Sequence, residues 1–147
     1  MSVEGRESVV AVGWATVELD RAAVAFAPLL EPGSTFQSAP DCRLLGARCR
    51  VGRTVTAVPG AGMGGAAGVA RTVILLEPAT EGRLAAFLAR NGEGWCATWT
   101  SDDDDPTRGA GDVQATTPGP LGPERLASGT PATGPFRLAV RPGTIRT

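Results

Sequence analysis

The 147-residue sequence contains no histidine, no tyrosine and no lysine, and all 14 of its basic residues are arginine. Without histidine, the chain has no imidazole to ligate a metal or to form a Cys–His nucleophile pair. Aromatic residues make up only 5% of the chain. The net charge is −1, and no basic stripe with interleaved aromatics is present, so nucleic acid is not an expected partner.

Long apolar runs are missing too. No stretch of about 18 apolar residues exists, so no membrane span is expected. The segment from Met1 to Glu7 is polar and lacks the apolar core of a signal peptide. Three cysteines, an odd number without an export signal, are expected to be reduced thiols. The missing export signal and the reduced thiols favour a cytoplasmic protein. The length and a hydrophobic content of 42% favour a single domain with one core.

Strand and helix patterns alternate along the chain. Helices are predicted over Arg21–Leu30, with Asp20 as N-cap, and over Pro78–Arg90, with a C-cap at Asn91-Gly92. Strands are predicted over residues 8–18, 35–38, 43–51, 71–77, 95–100 and 136–140. The order is consistent with two paired βαβββ modules, over about 8–77 and 78–147, of which the second is degenerate. An α+β domain of another topology gives a similar string.

Two segments carry a resemblance to a known family. The first is Ile74-Leu75-Leu76-Glu77-Pro78, and the second, after an amphipathic stretch ending in Phe87-Leu88, is Gly92-Glu93-Gly94-Trp95-Cys96-Ala97. This pattern resembles the methylmalonyl-CoA epimerase-like branch of the vicinal oxygen chelate superfamily, in which E-L-L-E-P, a helix ending F-L and G-E-G-L-H-H-I-A-F follow in that order. The resemblance implies an α+β fold whose paired βαβββ modules form a half-open β-sheet cup. It also implies a homodimer.

The chemistry of that family needs a divalent metal held by His and Glu. The resemblance places its ligand positions on Val12, Ile74 and Ala97. Phe136-Arg137-Leu138-Ala139-Val140 resembles the family's penultimate strand, and the last strand, which carries the final Glu in the family, would end at Thr147 without a carboxylate. Aliphatic side chains provide none of the oxygen or nitrogen atoms that bind such ions at about 2.0–2.2 Å. The resemblance therefore implies an apolar cup with no metal and no cofactor.

The candidate ligand-binding residues are those expected to face the cup. By strand alternation Trp14 shares a face with Val12, and Trp99 shares a face with Ala97. Indole rings suit contact with a flat organic ligand, although packing in a core explains them equally well. The full set is Val12, Trp14, Thr16, Ile74, Leu76, Cys96, Ala97 and Trp99. No titratable pair stands out for acid–base catalysis, so no catalytic residue is assigned.

Three other patterns have ordinary structural interpretations. Gly60–Gly65 matches the G-x-G-x-x-G of nucleotide-binding loops, but the next strand follows too soon for a crossover helix, which favours a hairpin loop. Asp102–Asp105 lacks the spacing of a calcium loop, which favours a solvated turn. Cys42 and Cys49 would face opposite sides of one predicted strand, and buried structural thiols are the default interpretation, with a reactive Cys96 as the alternative.

Together with the resemblance, these patterns favour a metal-independent protein that binds a small organic molecule. An isomerase, cyclase or epimerase of bacterial secondary metabolism is the leading interpretation. An apolar cup lacks the charge stabilisation that a metal gives to an enolate, which weighs against epimerisation. Two alternatives stay open, namely a non-catalytic binding protein for antibiotic self-resistance and an auxiliary subunit of a larger complex.

Overall fold

The computed structural model describes residues 9–59, 69–101, 116–127 and 135–140, and over these it has the predicted mixed α+β class. The helices are α1 (Leu19–Phe26) and α2 (Arg83–Asn91), and a 3₁₀ turn at Ala27–Leu29 follows α1. The strands are β1 (Val9–Ala15), β2 (Gln37–Cys42), β3 (Ala47–Pro59), β4 (Val69–Pro78), β5 (Gly94–Ser101), β6 (Thr117–Gly119), β7 (Gly122–Leu126) and β8 (Phe136–Val140).

All eight strands belong to one sheet, in the order β2-β3-β4-β1-β5-β8-β7-β6. β1 runs parallel to β4, β5 runs parallel to β8, and β1 and β5 join the two halves in antiparallel fashion. Each half therefore has the same strand order, with its first strand paired to its last. The edge strands β2 and β6 lie close to each other, so the sheet curls into a nearly closed cup. The prediction of a β-sheet cup built from βαβββ modules is confirmed.

Helix α1 covers the outer face of the sheet. Leu19 and Ala22 are its buried residues, and they pack on Val12, Val73 and Leu75 of β1 and β4. The helix begins one residue after its N-cap Glu18, so Asp20 lies in the first turn rather than at the predicted N-cap position. A carboxylate in the first turn still interacts favourably with the helix dipole.

Helix α2 closes one end of the cup. Leu84 and Phe87 are buried in the inner cluster of the sheet, and the backbone N–H of Leu84 donates to the carbonyl oxygen of Leu45 at 3.0 Å. The helix starts at Arg83 rather than at Pro78, because β4 continues through that proline. The predicted helix end is confirmed, since Gly92 is the C-cap and has a φ of 78°.

Two strand predictions are corrected. The strand predicted over 43–51 is interrupted by a turn in which Gly46 has a φ of 70°, so Cys42 ends β2 while Cys49 belongs to β3. Both thiols consequently lie in the inner cluster instead of on opposite faces of one strand. Phe136–Val140 is β8, which pairs directly with β5 and so closes the second half of the sheet. The penultimate position belongs to β7.

The Gly60–Gly65 loop and the Asp102–Asp105 run lie outside the described residues. Neither α1 nor α2, the helices of the described ranges, is long and apolar enough to cross a membrane.

Candidate functional site

The inner face of the sheet gathers most of the residues that the sequence predicts to bind a ligand. Its hydrophobic cluster joins side chains of β1–β5, β8 and α2. The predicted residues Ile74, Leu76, Cys96, Ala97 and Trp99 all belong to this cluster, and each has an exposed fraction of 0%. The structure therefore brings five of the eight candidates together, and their contact with a ligand stays a prediction.

Val12 and Trp14 lie on the opposite, outer face. Val12 packs with the residues beneath α1, and Trp14 makes edge-to-face ring contacts with Phe26 at 5.4 Å and Trp95 at 5.0 Å. The expectation that they face the cup is wrong, because α1 covers the face of β1 that carries them. Small residues of β1, Ala11 and Ala15 among them, take the inward positions.

Thr16 is buried in the turn between β1 and α1, away from the inner cluster. Its Oγ1 donates to Glu93 Oε2 at 2.9 Å, and the same oxygen accepts from the backbone N–H of Val17 at 2.9 Å and from Arg21 Nη2 at 2.8 Å. The bond from Val17, followed by those of Thr16 and Arg21, lowers the pKa of Glu93. Thr16 therefore helps to fasten the start of α1 to the segment that enters β5.

The Trp99 indole fills the centre of the cup over a glycine of β1. A Cβ at Gly13 would lie 2.8 Å from Trp99 Cζ3, 2.9 Å from Leu76 Cδ1 and 3.2 Å from the Ala97 Cβ. Real Cβ contacts are not this short, so a side chain at this position would force the indole to move. Gly13 also pairs in register with Ile74 and Ala97. The ring thus packs beside the two positions where the family resemblance places metal ligands.

Glu124 on β7 is the functional candidate that the sequence did not reveal. It is the one residue of charged type that is buried in the described ranges, with an exposed fraction of 0%. Trp99 Nε1–H donates to its Oε1 at 2.8 Å, and the Cys42 thiol donates to its Oε2 at 3.0 Å. A Cβ at Gly119 of β6 would collide with the Glu124 carboxyl group, so a side chain at this position would force the carboxyl group to move.

The surroundings of Glu124 favour its neutral form. Burial raises the pKa of the carboxyl group, and the hydrogen bonds from Cys42 and Trp99 lower it by less. The ion pairs found between described residues do not include Glu124. A raised carboxyl pKa in an apolar site is a property that catalytic acids and bases share, because such a group keeps its proton at a pH where an exposed carboxyl group has lost it.

The three cysteines are buried free thiols, as the default interpretation predicts. Burial raises the pKa of each of them, in the case of Cys49 to about 12. A thiol reacts as its thiolate, which such surroundings disfavour at neutral pH. Cys96 lies in the inner cluster, and its burial disfavours the thiolate form that a reactive cysteine needs.

One weak signal in the sequence points to Glu124. On a strand, residues two apart share a face, so Glu124 shares the face of Leu126, which packs against the inner cluster. Gly122 and Pro123 hide that strand, because both residues are unfavourable in strand interiors. The Pro- and Gly-rich composition of this region therefore conceals the carboxyl group that is buried in the described part of the chain.

A groove of about 510 Å³ lies beside β2 and β3, near the start of α1, and its lining is mostly charged or polar. Its charged side chains are largely paired with one another, as in the contacts of Arg50 with Asp20 at 2.6 Å and of Arg48 with Glu77 at 3.9 Å. The side chains of Asp20 and Arg48 are more than half exposed. Exposed pairs of this kind are ordinary surface features, so the inner face is the better candidate site.

Solved structures with the same fold identify the architecture. The methylmalonyl-CoA epimerase of Mycobacterium tuberculosis matches with a TM-score of 0.63 at 16% identity, over 96% of this chain and 91% of that chain. A variant of the Streptomyces coelicolor epimerase in complex with 2-nitronate-propionyl-CoA matches with a TM-score of 0.60 at 16% identity, over 95% and 97%. A methylmalonyl-CoA epimerase in complex with methylmalonyl-CoA and NH4+ matches with a TM-score of 0.61 at 16% identity, over 96% of this chain and 98% of that chain.

The chain has the vicinal oxygen chelate fold. At 16% identity the likeness shows the fold alone. A scan against protein families and a search of curated proteins find no match to the sequence.

The inner face does not fit the divalent metal that the vicinal oxygen chelate fold implies. Ile74 and Ala97 carry no donor atom, and the inward residue of β1 that pairs with both of them is Gly13, not the predicted Val12. The inward residues of β8 are Phe136, Leu138 and Val140, which are all apolar. Within the described ranges, no group of three or more His, Cys, Asp and Glu residues could hold a metal ion.

Proposed function

We propose that this chain is a metal-independent protein that binds a small organic molecule on the inner face of the sheet and moves a proton on it, as an isomerase, cyclase or epimerase does. The observation that supports the proposal is the buried carboxyl group of Glu124, held beside the Trp99 indole within the inner cluster. The residues proposed to contact the ligand are Ile74, Leu76, Cys96, Ala97, Trp99 and Glu124. A role in bacterial secondary metabolism is part of the proposal.

Glu124 has the chemical properties that such a reaction requires. A carboxyl group with a raised pKa is a stronger base than an ordinary glutamate when ionised, and an acid near neutral pH when protonated. It can therefore give its proton to a carbonyl oxygen and take one from the adjacent carbon, which forms an enol and restores the carboxyl group, and the reverse steps put a proton back on the carbon. The Trp99 N–H and the Cys42 S–H both donate to the carboxyl oxygens, so they stabilise the carboxylate that forms when Glu124 gives up its proton.

Binding requires a rearrangement of the inner face, because its side chains fill the space between the two halves of the sheet. Trp99 and Phe136 are both fully buried there. Rotation of the indole away from Gly13 would open a volume about the size of the ring. Two of the similar structures hold methylmalonyl-CoA and 2-nitronate-propionyl-CoA, which supports a small-molecule role for the fold.

Two other candidate functions come from the sequence, a sequestering protein and an auxiliary subunit, and the dense packing of the inner face favours the subunit. A protein that only sequesters a molecule, as in antibiotic self-resistance, needs the apolar face but no proton transfer. An auxiliary subunit needs neither, because its inner face is then a structural core.

Deuterium exchange separates these functions. The purified chain is incubated in D2O with a panel of ketones, esters and thioesters, and mass spectrometry measures incorporation next to the carbonyl group. The proposal predicts exchange above the buffer rate that is lost in Glu124→Gln and is unaffected by EDTA, with Trp14→Phe on the outer face as the control. Binding without exchange would support sequestration, and neither binding nor exchange would support a subunit.

A further inference from the structure

We propose that the inner face takes an uncharged, largely hydrocarbon molecule carrying a carbonyl oxygen, and that Glu124 donates the hydrogen bond that holds this oxygen. The inference rests on the proposed function, since it names the class of ligand and the polar contact for the same site.

The charge distribution of the inner face favours an uncharged ligand. The buried residues of the described ranges include no arginine, and the inner cluster is aliphatic, aromatic and thiol. An anionic group placed there would lose its hydration without gaining a counter-charge, which costs several kcal/mol. Glu124 would also repel an anion whenever it is ionised. The part of a ligand that enters the cup is therefore uncharged.

Hydrogen-bond donors outnumber strong acceptors around a neutral Glu124, which favours a ligand with an acceptor oxygen. Trp99 Nε1–H and the Cys42 thiol both donate to the Glu124 carboxyl group. When the Glu124 carboxyl group is neutral, its own O–H is a third donor at this place. The acceptors that the protein offers to these three donors are the two carboxyl oxygens and the Cys42 sulfur, which accepts only weakly. A carbonyl oxygen of the ligand supplies the strong acceptor that the O–H requires.

The shape of the inner face favours a flat or extended hydrocarbon. The residues beneath the Trp99 ring are small, because Ala11, Gly13 and Ala97 are the inward residues of β1 and β5 at this level. A flat or extended hydrocarbon that replaces the ring would rest on these residues and reach the carboxyl group to which Trp99 is bonded. Binding would therefore disturb the Trp99 N–H bond, and the indole resonance reports on it.

The test uses three probes of equal chain length, decan-2-one, decanoate and decane, on the full chain. The indole N–H resonances are followed in 1H–15N spectra, and Trp99 is assigned with Trp99→Phe. Decan-2-one is expected to shift the Trp99 resonance while those of Trp14 and Trp95, on the outer face, stay in place. Decanoate is expected to bind at least about tenfold more weakly than the ketone, because its charge loses hydration without gaining a counter-charge.

Two variants test the role of the carboxyl group. Glu124→Gln keeps a donor of the same size, so decan-2-one should bind within about threefold of the wild type. Glu124→Leu keeps the size but removes the donor, so the ketone should bind about tenfold more weakly while decane is unaffected. If the leucine variant does not fold, Glu124→Met replaces it, because methionine has a similar length and also lacks an O–H or N–H donor.

The outcomes distinguish this inference from the proposed function. If decanoate shifts Trp99 as readily as the ketone does, or if Glu124→Leu binds the ketone like the wild type, the inference fails while binding inside the cup stands. If none of the probes shifts the Trp99 resonance, the inference and the proposed binding site both fail.

Discussion

Glu93 and Glu124 lie on two sides of the same sheet and are held in opposite ways. Glu93, in the turn before β5, accepts bonds from Thr16, Val17 and the Arg21 guanidinium, and its pKa is lowered. Glu124, inside the cup, accepts bonds from uncharged donors, and burial raises its pKa. The difference shows that charge fastens the outer turn of this fold, whereas the inner face excludes charge. The proposed chemistry depends on that exclusion.

The tryptophans divide between the same two faces, and their truncation should have the largest effects. Trp99→Ala is expected to cost about 3–5 kcal/mol, because it removes a fully buried ring. Trp14→Ala should cost about 2 kcal/mol, since Trp14 is half-buried and keeps Phe26 and Trp95 as neighbours of the gap. Urea unfolding measures both. Equal losses would contradict the view that the Trp99 ring is packed more tightly than the Trp14 ring.

Alanine substitutions at two glycines test whether the Glu124 carboxyl group lies against β6. Gly119→Ala should lower the free energy of unfolding by about 1–3 kcal/mol, because the new methyl group meets the Glu124 carboxyl group. Gly94→Ala is the matched control, since nothing lies within 4 Å of a Cβ at that position. It should change stability by less than about 0.5 kcal/mol. Similar thermal shifts for the two variants would show that the carboxyl group does not lie against β6.

The pH dependence of stability should have opposite signs for the two carboxylates. Because the folded-state pKa of Glu124 is raised, its contribution is complete below the ordinary glutamate pKa of about 4.3 and is lost as the pH rises through the raised value. Glu124→Gln should therefore flatten the decline of stability above that pH. Unfolding curves from pH 4 to pH 9 test this, and an unchanged slope in the variant would mean that Glu124 is not the buried acid.

The substitution Glu93→Gln should have the smallest effect on the free energy of unfolding. The pKa of Glu93 is lowered on folding, so its contribution is present above the ordinary glutamate pKa and is lost as the pH falls through the lowered value. Glu93→Gln should cost at most about 1 kcal/mol at pH 7, because this exposed group is screened by solvent. The cost should vanish at low pH. A cost that persists there would indicate a role in packing rather than in charge.

The elements with strong local patterns could be predicted from the sequence. The apolar run of Ile74–Leu76 gave β4, the Gly92 stop gave the end of α2, and the apolar Phe136–Val140 segment gave β8. Each of these signals lies within a few residues of chain, so no distant contact is needed to interpret it.

The faces of the strands could be predicted only in part. Alternation correctly puts Trp99 with Ala97, but it does not say which face of β1 a helix will cover, and so Val12 and Trp14 were placed on the wrong side. Glu124 was missed because its burial depends on contacts with Cys42 and Trp99, 82 and 25 residues away in the chain. No local pattern encodes partners at such distances.

Metal loading tests the central claim most directly. The purified chain is exposed to excess Zn2+, Mn2+ or Co2+, dialysed and analysed for bound metal, with Tm recorded before and after EDTA. An inner face whose ligand positions are Gly13, Ile74 and Ala97 predicts far less than one ion per chain and an unchanged Tm. One tightly bound ion per chain, with a Tm that falls when EDTA removes it, would contradict the account.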